Sequence, residues 1–378
     1  MLTQGDFINI EKQATALYES LELEIIEEIA TRISRVGYAN TVVLNNIQIA
    51  QEMGALYTDI IALVAKYNNT SYEKVAEIFN QAGAQTLKFD DKIYTEAGLN
   101  PIPINQSSSM VQLLNSTIEK TSGNLQNLVM TTAITSQTSF YNAMNKAYME
   151  VSTGVKSYTK SIVDTIKELS EEGAVITYPS GRNMSLESAV RMNIITGVNQ
   201  TCGKLQELRA DEVGWDLMEL TAHSGARPEH VIWQGKIVSR SGQKGYLSLD
   251  DIGYGTATGF KGINCRHDWS PYLKGSTRAY AQKELNKWKT EKVTYNGKEI
   301  SMYEATQKQR YFERKIRQDK KDLKAQQAIL TSNNKDINIE EVQSEIRNIK
   351  ATQRQHNAQL NDFLNQTRLR KDNSRLVV

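Results

Sequence analysis

Apolar residues recur at intervals of three and four over most of this chain, and almost no proline interrupts them. Phe7, Ile10, Ala14, Leu17, Leu21, Ile25, Ile29 and Ile33 form one such stripe, the spacing that keeps side chains on one face of an α-helix. Only five prolines occur in 378 residues, and proline is the residue that breaks a helix interior. The chain is therefore expected to be mainly α. The spacing predicts one helix over 7–36, stopped at Gly37. Helices over 41–68 and 71–84 follow, separated by a break and cap at Asn69-Thr70-Ser71. Residues 98–103 hold two prolines and a glycine and read as a loop. Residues 108–170 return to helix, rich in Ser, Thr, Asn and Gln. Such a helix has few strong apolar anchors and needs neighbours to stay ordered.

The C-terminal stretch carries two heptad stripes. Phe312, Ile316, Asp319, Leu323, Gln326 and Leu330 follow 4-3-4-3-4 spacing, and Val342, Ile346, Ile349, Gln353, His356, Leu360 and Phe363 resume it. The polar run 331–336 between them predicts an antiparallel helical hairpin. Asp319, Gln326, Gln353 and His356 interrupt the seam. They either fix its register or, where the helices pack on other subunits, face water. The basic tail 368–371 reads as mobile.

Two short segments echo one another. Residues 176–189 and 293–305 each read as a β-branched or aromatic strand, a glycine turn and a second short strand. Each ends on a serine that can cap a helix, and Ser301 with Glu304 makes a capping-box pattern. They bracket 190–292 as a small α+β module. The expected organisation is a helical N-terminal interaction domain over 1–170, an α+β domain with short hairpins over 171–305, and a helical hairpin with basic tail over 306–378.

Composition excludes several classes. Hydrophobic residues make up 39% and charged residues 23%, too apolar for a disordered chain. No run approaches 18 apolar residues, so no membrane span is expected, and the N-terminus shows no secretory pattern. Two cysteines, Cys202 and Cys265, exclude a disulfide scaffold. The net charge of +2 conceals an acidic front, with 9 Lys/Arg against 16 Asp/Glu in residues 1–150, and a basic remainder with 36 against 27. That division suits different neighbours for the two halves.

Nothing catalytic stands out in the first 170 residues. Three of the four histidines, His223, His230 and His267, fall in two short segments, with Cys265 beside the last. His, Cys and carboxylates ligate borderline metals, but His223 and His230 stand seven apart across Gly225 and Pro228, and no CxxC pair exists, so the spacing assigns no metal. Cys265 could share a strand face with His267, and Arg266 beside it would lower a thiol pKa. A buried cysteine is more often a small core residue. No glycine-rich phosphate loop, paired-carboxylate pattern or GxSxG elbow appears.

These two segments carry a resemblance. Ala226-Arg227-Pro228-Glu229-His230, then Gln234-Gly235-Lys236, a glycine-rich stretch through Phe260 and Asn264-Cys265-Arg266-His267 resemble the C-terminal domain of tailed-phage head-morphogenesis proteins. With His223-Ser224-Gly225 ahead and Trp233 inside, the run is most similar to the phage minor capsid protein 2 family, chiefly over about 170–275. The resemblance implies a virion protein, present in few copies inside the head near the portal vertex, and in host cytoplasm during assembly. It implies a part in head morphogenesis and DNA packaging or delivery, with portal protein and other capsid subunits as partners. Related domains commonly end in Asn-Cys-Arg-Cys; His267 here removes the second cysteine and makes redox or Cys-rich metal chemistry less expected.

The leading expectation is thus a structural protein with no enzyme activity and no cofactor. His223, Arg227, His230, Trp233, Asn264, Cys265, Arg266 and His267 would form a polar cluster that holds loops together. One rival is a metal-dependent nuclease or Cys-His hydrolase at His223, His230, Cys265 and His267. A second is a non-specific DNA-binding module. Residues 255–298 hold nine Lys/Arg against three Asp/Glu with six aromatics interleaved, and Lys261, Lys274, Arg278, Lys283 and Lys287 are the candidate phosphate contacts.

Overall fold

The computed structural model describes residues 1–16, 18–36, 42–172, 175–177, 183–332 and 334–376. Leu17 and Gly37, which the helical reading used, lie outside them, as does the turn of the first hairpin at 178–182. The fold is mainly helical with small antiparallel sheets. The chain divides into two compact units: residues 1–15, 70–125 and 190–307, and residues 16–69, 126–189 and 308–378.

The front departs from its reading twice. Instead of one helix over 7–36 there are two, α1 (Gln4–Ala16) and α2 (Glu19–Arg35). Tyr18, fully buried, sits between them at φ −124°, ψ −7°, off the helical region. The apolar stripe runs through the break unchanged, so spacing alone does not reveal it. The predicted break at 69–71 does not occur: α3 runs without interruption over Val42–Glu96, with Ser71 buried within it. Asn, Thr and Ser disfavour a helix interior by only about 0.5 kcal/mol each, too little to stop a long packed helix. What ends α3 is Gly98 at φ +82°. There the Leu99 N–H reaches the Tyr94 carbonyl at 2.9 Å and the Gly98 N–H that of Thr95 at 3.0 Å, a Schellman cap. The predicted 98–103 loop follows. Residues 108–170 form two helices, α4 (Ser108–Ser152) and α5 (Tyr158–Glu172).

In the first unit, a three-stranded antiparallel sheet has the order β4 (Ile237–Ser239), β3 (Leu217–Leu220), β5 (Trp269–Pro271). Met218 pairs with Val238 on one side and Pro271 on the other, and Leu220 pairs with Trp269. Met218, Leu220, Trp233, Val238, Ile252, Phe260, Cys265 and Trp269 form its buried core. Helix α6 (Leu186–Glu212) packs Gly197 against Phe79 and Thr121, where an added Cβ would come within 3.1 Å of both. Helices α7 (Pro228–Val231) and α8 (Gln282–Thr290) complete the segment.

Both predicted hairpins form. Strands β1 (Val175–Thr177) and β2 (Asn183–Ser185) pair antiparallel and feed α6. Strands β6 (Lys292–Tyr295) and β7 (Lys298–Ser301) pair around Asn296 and Gly297, both at positive φ, and feed α9 (Met302–Thr331). The capping box is present: Ser301 N–H donates to Glu304 Oε2 at 2.8 Å and Glu304 N–H to Ser301 Oγ at 3.2 Å.

In the second unit α2 and α10 (Ile339–Thr367) both pack on α5. The C-terminal hairpin is as the heptads predict. Phe312 of α9 meets Phe363 of α10 at 5.6 Å between ring centroids. Three of the four seam polars are partnered: Asp319 accepts from His356 Nδ1 at 2.7 Å, and buried Gln326 donates to the Val163 carbonyl at 2.9 Å, while Gln353 is half-buried. Beyond the exposed basic run, Leu376 is buried and the Arg375 carbonyl accepts from Arg317 at 2.6 Å. Asn338 caps α10, its Oδ1 accepting from the Glu340 N–H at 3.1 Å and the Glu341 N–H at 3.4 Å. Asn338→Ala should lower stability by about 1 kcal/mol in urea titrations. An unchanged midpoint would show the cap to be idle.

Candidate functional site

The two motif segments meet beside the β3–β5 pair. Pro228 opens α7 and needs no N–H partner there. Two residues on, His230 is buried. The chain from 253 to 268 then makes a tight excursion back to β5. Gly259 and Gly262 permit it: a Cβ on Gly259 would stand 2.0 Å from the Gly253 carbonyl oxygen, and one on Gly262 2.2 Å from that of Thr256. Lys261 and Asn264 both adopt positive φ. This return places Cys265 and His267 against His230.

His230, Cys265 and His267 are each no more than 2% exposed. His230 Nδ1 lies 3.2 Å from His267 Nδ1, and Cys265 Sγ lies 3.8 Å from the same nitrogen. The outer nitrogens are engaged. His230 Nε2 is 2.8 Å from the Thr258 carbonyl and His267 Nε2 is 3.1 Å from Gln234 Oε1. His223 stacks on His267 with centroids 4.4 Å apart, and its Nδ1 lies 3.0 Å from the Ser224 carbonyl. Its Nε2 is buried without a hydrogen-bond partner among the described residues. Trp233 stands edge-on to His267 and Phe260. Burial lowers the pKa of His223 and His230, and takes that of His267 well below the ordinary histidine value. Burial also raises the Cys265 thiol, so at neutral pH the pocket holds a thiol, not an activated thiolate.

The remaining cluster residues act as ties. Arg227 donates to the Ile263 carbonyl at 2.6 Å, the Asn264 N–H to Thr196 Oγ1 at 3.1 Å, and Arg266 pairs with buried Glu11. Several partners were not singled out by sequence. Asn199 donates to the Cys265 carbonyl at 2.8 Å from 66 positions away, and Gln234 accepts from the His223 N–H at 3.1 Å. Gln234 lies in the motif; no local pattern points to Asn199 or Glu11.

The basic candidates divide. Lys261 is 1% exposed and bonded to Asp268 and Asn199, so its ammonium does not reach a phosphate. Arg278 pairs with Glu219 at 2.8 Å and donates to the Gly235 carbonyl. Lys274, Lys283 and Lys287 are exposed. Among the described residues no helix is long and apolar enough to cross a membrane.

A structural protein of Lactococcus phage LL-H is 28% identical over 299 residues, covering 75% of this chain and 77% of that protein. A structural protein of Lactococcus phage mv4 is 36% identical over 88 residues, 23% of this chain and 63% of that one. No solved structure matches. The family model described as phage minor capsid protein 2 matches residues 2–365, nearly the whole length, and the chain therefore belongs to the phage minor capsid protein 2 family.

Proposed function

We propose that this minor capsid protein is a non-enzymatic component of the head near the portal, acting in head morphogenesis and in DNA packaging or delivery. On this reading it docks on portal or capsid subunits through an outer face of α4. One observation carries it. Residues 121–145 contain no Asp, Glu, Lys or Arg, yet this helical stretch has an exposed side. Ile134 is 55%, Tyr141 47% and, just beyond, Met149 58% exposed. Spaced by seven and eight, they lie on one stripe, with exposed Thr138 between the first two. Large exposed apolar side chains aligned on an uncharged face mark an interaction surface, and a virion component must assemble with other virion proteins. The 171–305 stretch would then be a scaffold braced by its polar cluster. Exposed Lys274, Lys283 and Lys287 would be available to packaged DNA, in contacts that read no sequence.

The test is gentle disruption of purified particles, followed by fractionation. The chain should leave with head or portal material. A triple variant, Ile134→Glu, Tyr141→Glu and Met149→Glu, should fold as before, because all three side chains already face solvent. Its incorporation into particles should fall by about tenfold or more, since a carboxylate buried in an interface without a partner costs several kcal/mol. Wild-type incorporation of the folded triple variant would overturn the docking face, and a chain that stays with soluble host protein would overturn the whole reading.

A further inference from the structure

We infer that His230, Cys265 and His267 form a binding site for a divalent metal ion of the zinc class, which staples α7 to the segment that enters β5.

The donor atoms are already grouped. One from each residue lies within 4.8 Å of the others. Zinc–nitrogen bonds of about 2.0–2.1 Å and a zinc–sulfur bond of about 2.3 Å give tetrahedral edges of about 3.3 Å (N–N) and about 3.6 Å (N–S). The two Nδ1 atoms stand 3.2 Å apart, and Cys265 Sγ stands 3.8 Å from His267 Nδ1. Small side-chain shifts close the difference.

Hydrogen bonding on the far side of each ring strengthens the case. The Thr258 carbonyl can only accept, so His230 carries its proton on Nε2. The oxygen of Gln234 is fixed by the His223 backbone N–H, which can only donate, so His267 also carries its proton on Nε2. Each neutral ring then presents a lone pair at Nδ1, and the two lone pairs face one another with only the weak Cys265 S–H donor, 3.8 Å from the His267 nitrogen, beside them. That contact is repulsive as it stands. A cation between the rings makes it attractive, and outer-nitrogen bonds to carbonyl oxygens are the usual support of metal-bound histidines.

The ligand chemistry selects the ion. Two imidazoles and a thiolate favour zinc-class ions over magnesium or calcium. On binding, the Cys265 S–H loses its proton to solvent, the thiolate pair forms the metal–sulfur bond, and no electron is transferred. Three ligands come from the described residues, each at most 2% exposed, and the ion they hold fastens two segments of the chain. A metal staple between segments 35 positions apart also accounts for a motif that local spacing does not betray.

The experiment uses the full-length chain, stripped with a chelator and titrated with Zn2+ and Co2+. Expected are about one equivalent of tightly held zinc, a thiolate-to-cobalt charge-transfer band, and a higher melting temperature with metal than without. Cys265→Ser should abolish the band, while Cys202→Ser, altering a buried thiol elsewhere, should keep it. His230→Ala and His267→Ala should each weaken binding by at least about 100-fold, because even loss of an outer-shell partner costs 10–100-fold. Should the ligand variants fail to fold, the wild-type and Cys202→Ser spectra decide alone. A folded wild-type chain that holds no zinc and shows no cobalt charge transfer overturns the inference, as does a band that survives Cys265→Ser.

Discussion

Lys261→Met should destabilise the chain by about 3–5 kcal/mol in urea titrations at pH 7, the cost of breaking a buried ion pair from one side. The Lys261 ammonium sits 2.5 Å from Asp268 Oδ1 and 2.8 Å from Asn199 Oδ1, and both charged side chains are almost fully buried. The other Asp268 oxygen accepts from the Leu2 N–H. Removing the cation leaves that carboxylate with amide N–H support and no counter-charge. Methionine keeps most of the aliphatic stem, which packs 3.1 Å from where a Gly203 Cβ would stand, so the loss reports charge rather than volume. A double variant, Lys261→Met with Asp268→Leu, should recover part of the stability, because neither charge is then stranded. A single-variant loss below about 1 kcal/mol, or a double variant worse than the sum of both singles, would refute the role given to this pair.

Lys261 also marks where sequence reading fails. Nine cations against three anions in 255–298 describe a basic segment, but composition says nothing about which ammonium turns inward. Its partners come from α6 and from seven positions downstream, and only the fold brings them together. The C-terminal hairpin was legible for the opposite reason. A 4-3 spacing is local information, so Phe312, Phe363 and even the Asp319–His356 bond fall where the stripes put them. Helix ends were legible only in part. The Ser301–Glu304 box is written in adjacent residues, whereas the break at Tyr18 depends on packing, and the 69–71 cap signal was overridden by a long helix. The motif segments drew attention to His230, Cys265 and His267. Their spacing matches no standard metal-ligand pattern, because these residues converge through a glycine-permitted return of the chain rather than within one short interval.

Asp90→Asn, in the same buried polar core, should flatten the pH dependence of stability. Asp90 lies on α3 with no solvent exposure. Its Oδ2 accepts from Gln206 Nε2 at 2.9 Å, and Gln206 in turn donates to the Trp269 carbonyl at 2.7 Å. Burial pushes the carboxyl up to about 7; the nearby Met1 ammonium, 3.7 Å from Oδ1, opposes this, and the Asp268 charge adds to it. The folded chain therefore holds this proton more tightly than the unfolded chain, whose carboxyl titrates near 3.8. Stability from this group is full below about pH 4 and is lost as pH rises through about 7. The shift is worth at most about 4 kcal/mol between those limits. Asparagine copies the neutral carboxyl in shape, keeps an oxygen for Gln206 and cannot ionise. The difference in unfolding free energy between Asp90→Asn and wild type should therefore move in favour of the variant by a few kcal/mol from pH 4 to pH 7.5. Taking this difference cancels titrations that the two chains share. Parallel stability curves would mean that Asp90 stays ionised in the fold. The polar core of the first unit would then be held by charge pairing alone, and the cost assigned to stranding Asp268 would extend to Asp90 as well.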